Sequence, residues 1–310
     1  MKAAICTLYE RDYHYGVGVL SNSLYRQGFR GVIWVGYRGA LPPWAAPLVT
    51  RRGYQEFAVA ADCVLRFIEL HTDKFLSNYK PDFMLDVLDR YDPEIEALYY
   101  FDPDIVNKRN WQFYEQWVHY GIALCEDWYD RMPAHHPYRL MWLELAQRYG
   151  FTSQRELGWY YNSGFIGLHR REKGILLDWQ KLLEMLELDG LIDLKRFQLT
   201  RGYPYFQGDQ CVFNLALMVS TYPLSPIGCR GMDFGGVSLD LMSHAAGAEI
   251  KPWRKSLIKS ALRGMVPGLT DQAYWRYACV PIPVYSKWQQ FWKQFAIKCG
   301  AAIGRLSRCC

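Results

Sequence analysis

KAAICTLYERDYHYGVGVLSNSLYRQGFRGVIWVGY, residues 2–37, reads as two buried strands joined by a helix. KAAICTL (2–8) and GVIWVGY (31–37) are apolar runs of strand length. GVLSNSLYRQG (18–28) between them has helical character and ends on Gly28, the residue type that most easily adopts the left-handed conformation closing a helix. A strand–helix–strand opening implies a parallel sheet.

Downstream the alternation continues. KPDFMLDVLDRY (80–91) predicts a helix, with Pro81 supplying the preset φ of a first turn. DPEIE (92–96) is a turn, ALYYFD (97–102) a strand and GIALCED (121–127) another. Residues 175–187 and DQCVFNLALMV (209–219) predict two more helices. The expected class is α/β, and in open α/β sheets ligands bind beyond the carboxyl ends of the strands. There is no internal repeat and no low-complexity stretch.

Half of the 310 residues are apolar and 22% are charged, the composition of a globular chain with a sizeable core. The nine cysteines are scattered, form no CxxC pair and in several cases lie in apolar runs, so a reducing, cytoplasmic setting is expected rather than a zinc site. The first apolar run stops at Glu10, too short for a signal peptide, and no window suggests a membrane span. The net charge of +5 is uneven: residues 254–310 carry ten Lys/Arg against one acid, Asp271, which leaves residues 1–253 at −4. The basic character belongs to the tail, and no nucleic-acid partner is expected for the body.

Four stretches carry chemistry. YYFDPDIV (99–106) drives a strand into Asp102 and Asp104. One reading is a turn, since Asp and Pro are turn residues. The other is a carboxylate pair, both side chains on one face of extended backbone, holding Mg²⁺ or Mn²⁺. In YYNSGFIGLHR (160–170), Asn162, Ser163 and Gly164 interrupt an apolar run, as a bulge or as a pocket where Gly164 lets a ligand approach the backbone. In FQGDQCVFN (206–214), Asp209 is a good N-cap, and Asp209 with Gln210 also suits sugar hydroxyls. In SHAAGAEIKPW (243–253), His244 is a structural histidine or a metal ligand, while Gly247 and Lys251 suit a diphosphate.

In this order the stretches resemble the GT-A nucleotide-sugar glycosyltransferases, most closely the retaining family of glycogenin and the bacterial lipopolysaccharide galactosyl/glucosyltransferases. The opening segment TLYERDYHYGVGVLSNSL matches that family's first strand and helix at Thr7, Leu8, Asp12, Tyr13, Gly16, Val19, Leu20, Ser23 and Leu24. Its D-x-D, N-[SA]-G, G-D-Q-x-x-x-N and H-x-x-G-x-x-K-P-W elements match Asp102/Asp104, Asn162–Gly164, Gly208–Gln210 with Asn214, and His244, Gly247 and Lys251–Trp253, the last with one extra residue before Lys251. The resemblance spans roughly residues 3–253. It implies a Rossmann-like mixed sheet flanked by helices, with residues 1–125 binding the nucleotide and 126–253 completing the donor and acceptor sites. It implies a metal-dependent hexosyl transfer from a UDP-sugar to a carbohydrate or lipid-linked acceptor, with retention. Asp102, Asp104 and His244 then hold Mn²⁺ or Mg²⁺. Thr7, Leu8 and Tyr13 line the uridine pocket, Lys80, Gly247 and Lys251 contact the donor, and Asn162, Asp209 and Gln210 orient its sugar. A nucleotidyltransferase making sugar nucleotides would share fold and metal but needs a Gly-rich basic loop after the first strand, for which YERDYHYG is a poor candidate. A non-catalytic sugar-binding protein would not need every metal-ligand type.

The tail, 254–310, is basic and aromatic. Within 285–306, Trp288, Phe291, Trp292, Phe295, Cys299, Ile303 and Leu306 recur at helical spacing, with Lys287, Gln290, Lys293, Gln294, Lys298 and Arg305 largely elsewhere around the wheel. Such a helix suits an anionic membrane surface, or docks its apolar stripe on the body. The terminal Cys309–Cys310 pair fits no C-a-a-X pattern.

Overall fold

The computed structural model describes residues 1–128, 132–198, 205–246 and 250–306. Among these, the strands are β1 Ala3–Glu10, β2 Gly31–Arg38, β3 Val49–Arg51, β4 Tyr54–Ala60, β5 Cys63–Glu69, β6 Ala97–Phe101, β7 Ile105–Asn107, β8 Ile122–Glu126, β9 Tyr161–His169, β10 Leu224–Ile227 and β11 Met242–His244. The helices are α1 His14–Arg26, α2 Lys80–Asp86, α3 Trp111–Trp117, α4 Pro137–Arg148, α5 Gly174–Leu188, α6 Asp209–Val219, α7 Leu257–Leu262, α8 Leu269–Arg276 and α9 Lys287–Leu306.

Nine strands form one mixed sheet in the order β10-β8-β9-β6-β1-β2-β5-β4-β3, flanked by helices. β6, β1, β2 and β5 run parallel, as the strand–helix–strand opening requires. β1 lies at the centre and is buried from Ala4 to Tyr9, because a parallel strand covered on both faces needs apolar side chains on both. Gly28, at φ +96°, closes α1 as expected. The helix predicted over 80–91 is α2 continued by a π-helical turn, Val87–Tyr91.

β9 breaks the parallel run. It lies antiparallel between β6 and β8, so the segment containing Asn162, Ser163 and Gly164 enters the middle of the sheet rather than its edge. Its register against β8 jumps from Leu124↔Ile166 to Cys125↔Asn162. The bulge is real, and it turns these residues toward the carboxyl ends of β6 and β8.

Residues 254–285 pack onto the body although their composition sets them apart. Buried Asn22 of α1 donates to the carbonyls of Tyr277 (2.8 Å) and Ile282 (2.9 Å) and accepts from the Ile282 amide (2.7 Å). Tyr274 and Trp275 share a core cluster with Val19 of α1 and Val106 of β7. Asn22→Leu would strip three buried backbone groups of their partner. The expected cost is about 2–4 kcal/mol of unfolding free energy, since each orphaned buried group costs about 1–3 kcal/mol and partial relaxation recovers some of the sum. Urea denaturation followed by tryptophan fluorescence measures it; an unchanged midpoint contradicts this role.

Candidate metal centre and cleft

The acid pair sits in a turn, not in the extended backbone expected of it. β6 ends at Phe101, the Ile105 amide donates to the Asp102 carbonyl at 3.0 Å, and β7 begins at Ile105. The turn nevertheless aims both carboxylates to one side, because both of its ends are tied down. The Asp102 amide donates to the Gly164 carbonyl in the β9 bulge at 2.7 Å. β7 pairs with β11, bringing His244 opposite Ile105 and next to Asp104. His244 Nε2 lies 3.2 Å from Asp104 Oδ1 and 3.6 Å from Asp102 Oδ2. One ligand atom from each of the three residues falls within 4.8 Å of the others. Two carboxylate oxygens and an imidazole nitrogen are a donor set that could hold a metal ion. Gly164 keeps that space open: a Cβ there would lie 2.4 Å from His244 Cε1 and 2.8 Å from Asp102 Oδ2. Gly16 plays a similar part behind the turn, where a Cβ would meet the Pro103 carbonyl oxygen at 2.1 Å.

Two lysines share these acids. Lys80, the first residue of α2, is buried, with Nζ 3.2 Å from both Asp102 Oδ1 and Asp209 Oδ2. Burial works against its charge, but Asp102 and Asp209 outweigh it and raise the pKa above the ordinary lysine value. Lys251 donates to Asp104 Oδ2 at 2.6 Å and to the Ala245 carbonyl at 2.7 Å. Burial likewise disfavours ionisation of Asp104, yet His244 and Lys251 hold its carboxyl far below the usual range. Tyr100 adds a hydroxyl donor to Asp102 Oδ1 at 2.8 Å.

A second polar group faces the first. Asn162 Nδ2 donates to Asp127 Oδ2 at 2.8 Å and Gln210 Nε2 to the same oxygen at 3.0 Å. Gln210 Oε1 accepts from the Ser163 amide, and Ser163 Oγ donates to Asp209 Oδ2 at 2.9 Å. Asp209 is not the N-cap that its position suggests. Gly208 holds the cap, and Asp209 turns to Lys80 and Ser163 instead. Asn214 ties α6 to β9 through the Tyr161 amide and carbonyl, which makes it a structural member. Asp127 is not among the site residues expected from the sequence, and Ser163 is expected there only as a member of the interrupted run, with no role of its own. The signal for Asp127 was present: an acid closing the run GIALC after Glu126, at a strand end as Asp102 is.

These groups border a cavity of about 850 Å³. Leu8 and half-buried Tyr13 line it. The Tyr13 ring meets Trp253 edge-on at 5.2 Å, and the Lys251 and Arg254 cations each lie 5.8 Å from its centroid. Asp12 binds Arg254 and accepts from Trp253 Nε1 at 2.9 Å, clamping the loop after β1 to the segment that carries Lys251. Thr7 is fully buried and does not line the cavity; its hydroxyl has no hydrogen-bond partner among the described residues. Gly247 lies outside the described residues. Phe75, Tyr138, Phe197 and Tyr205 add aromatic side chains to its lining.

No family model matches this chain, and no curated protein matches it. Its chemistry is therefore read from the cleft itself.

Gly164→Ala is expected to push His244 and Asp102 apart and to weaken Mn²⁺ binding about 10–100-fold, the usual effect of disturbing the groups that orient metal ligands. Calorimetric titration measures it, with circular dichroism checking the fold. Unchanged Mn²⁺ affinity in a folded variant contradicts the assignment.

Proposed function

We propose that the chain is a metal-dependent glycosyltransferase, moving a sugar from a nucleoside-diphosphate donor, UDP-linked by its resemblance, to an acceptor hydroxyl. The observation that carries this reading is the convergence of Asp102, Asp104 and His244 with Lys80 and Lys251 on one wall of a cavity large enough for a sugar nucleotide. Carboxylates alone would repel a diphosphate. Carboxylates that share a divalent cation, with ammonium groups beside them, attract one. Asp102, Asp104 and His244 would hold Mn²⁺ or Mg²⁺, which supplies charge stabilisation to the departing nucleoside diphosphate.

The chain's own groups do the rest. Lys251 is placed to exchange its bond with Asp104 for a phosphate oxygen, because it reaches the cleft on a segment clamped to the loop bearing Tyr13. Tyr13 offers an aromatic face for the base at the cavity wall. Asp127, Asn162, Asp209 and Gln210 form a rigid hydrogen-bonding set for sugar hydroxyls, each held by a neighbour. Lys80 and Ser163 occupy Asp209 Oδ2 as donors, which favours an orienting role for that carboxylate over attack on the sugar. Retention then follows most simply from a same-face exchange in which the leaving phosphate takes the acceptor's proton.

Incubation with a panel of radiolabelled nucleotide sugars and Mn²⁺ tests this. Donor hydrolysis or transfer is expected from the native protein, and a loss of roughly 10²-fold or more from Asp104→Asn, the scale of losing one group that stabilises transition-state charge. Asn is preferred to Ala because it keeps an acceptor for Lys251, which Ala would leave without its carboxylate partner. Release of pyrophosphate from a nucleoside triphosphate and a sugar phosphate would show a nucleotidyltransferase instead. Turnover unchanged in Asp104→Asn would remove the metal from the reaction.

A further inference from the structure

Helix α9 meets the body with the face that a soluble helix ordinarily gives to water. Gln290 and Gln294 donate to the Trp275 carbonyl at 2.9 and 3.1 Å, and Lys293 donates to the Lys255 carbonyl at 3.0 Å. Lys293 also stands over the Trp275 ring, 5.2 Å from its centroid. Ala296 and Ile297 pack on the cluster containing Trp275, and Gly300 approaches Pro267 so closely that a Cβ would lie 2.9 Å from its ring. These positions recur every three or four residues and complete the docking stripe.

The opposite stripe faces outward. Trp288, Phe291, Trp292 and Phe295 are 66%, 57%, 47% and 48% exposed, and their rings contact one another. α7, packed alongside, exposes Ile258 and Leu262, and Met265 follows it. Lys259, Arg263, Lys287 and Lys298 are exposed on the same two helices and the turn after α7. The one acid of residues 254–310, Asp271, is buried and paired with Lys255 at 2.7 Å. Trp288, Phe291, Trp292 and Phe295 of the stripe read from the sequence therefore share a face, but it is not the face that docks the helix.

We propose that this face is a docking surface for an anionic lipid bilayer, with α9 lying in the plane of the interface. Four clustered aromatics are too large an exposed apolar group to be incidental. Trp and Phe on one face with Lys around them match the interior and charge of an anionic headgroup layer. A second copy of the chain fits less well: a self-complementary contact would set lysine against lysine with no tail carboxylate to pair with. Spanning is not the mode, since among the described residues no helix is long and apolar enough to cross a membrane.

Flotation of the whole protein tests the surface, using phosphatidylcholine vesicles and vesicles with phosphatidylglycerol added. Recovery with the anionic vesicles only is expected, falling as salt is raised. Replacing Trp288, Phe291, Trp292 and Phe295 together with Ser should lower partitioning roughly tenfold or more. Lys287→Glu with Lys298→Glu should do about the same. All six side chains are exposed, so thermal melting of both variants is expected to match the native protein. Three outcomes overturn the proposal. One is equal flotation of the native protein with both vesicle types, and another is undiminished flotation of the fourfold Ser variant. The third is a native dimer in sedimentation that this variant converts to monomer with flotation unchanged, which would assign the face to a second copy.

Discussion

Three carboxylates, Asp102, Asp104 and Asp209, converge at the carboxyl end of the central strands, Asp104 and Asp209 buried and Asp102 partly so. Left alone they would repel one another strongly in that setting. Two ammonium groups make the arrangement stable: Lys80 between Asp102 and Asp209, and Lys251 on Asp104. Taking away one partner of such a buried pair typically costs about 3–5 kcal/mol, so each lysine is as necessary to the cleft as the acids. Much of the nearby architecture places these five side chains. The β9 bulge provides Ser163 and the Gly164 carbonyl, the β7–β11 pair provides His244, and α2 begins on Lys80 rather than on a residue that faces water.

On the proposed function, the same charges would serve the binding of cation and nucleotide. A divalent cation at Asp102, Asp104 and His244 would displace Lys251 from Asp104, and a diphosphate would receive that lysine. Cation and nucleotide would then bind with positive coupling, each removing a cost the other would otherwise meet. The Asp12–Arg254 pair and Trp253 keep Lys251 near the cleft throughout the exchange.

Local chemistry was legible in the sequence where one short segment carried it whole. The strand runs of β1, β2, β6 and β8, the α6 helix, and Gly28 as the close of α1 each depend on neighbouring residues, and the structure has them where the pattern places them. Asp102, Asp104 and His244 were legible as ligand types, and the structure adds their convergence. What could not be read depends on pairing across distance. The antiparallel insertion of β9 into the sheet interior follows from its register with β6 and β8, which no local pattern encodes. The bridging position of Lys80 needs α2 to start directly over Asp102, and its distance in sequence from the acids hides that. Asp127 carried only a strand-end signal until Asn162 and Gln210 were seen to share it. The tail shows a further limit. Periodicity found its two faces, but only Gln290, Lys293 and Gln294 bonding to backbone carbonyls reveals which one meets the protein.

The proposed function requires Asp102, Asp104 and His244 to bind a divalent cation together with a nucleoside diphosphate. Anomalous X-ray diffraction from crystals grown with Mn²⁺ and UDP tests it most directly. The predicted result is one manganese peak bonded to Asp102, Asp104 and His244 Nε2, with Lys251 moved from Asp104 onto a phosphate oxygen. Manganese bound elsewhere, or UDP bound with Lys251 still on Asp104, would contradict it.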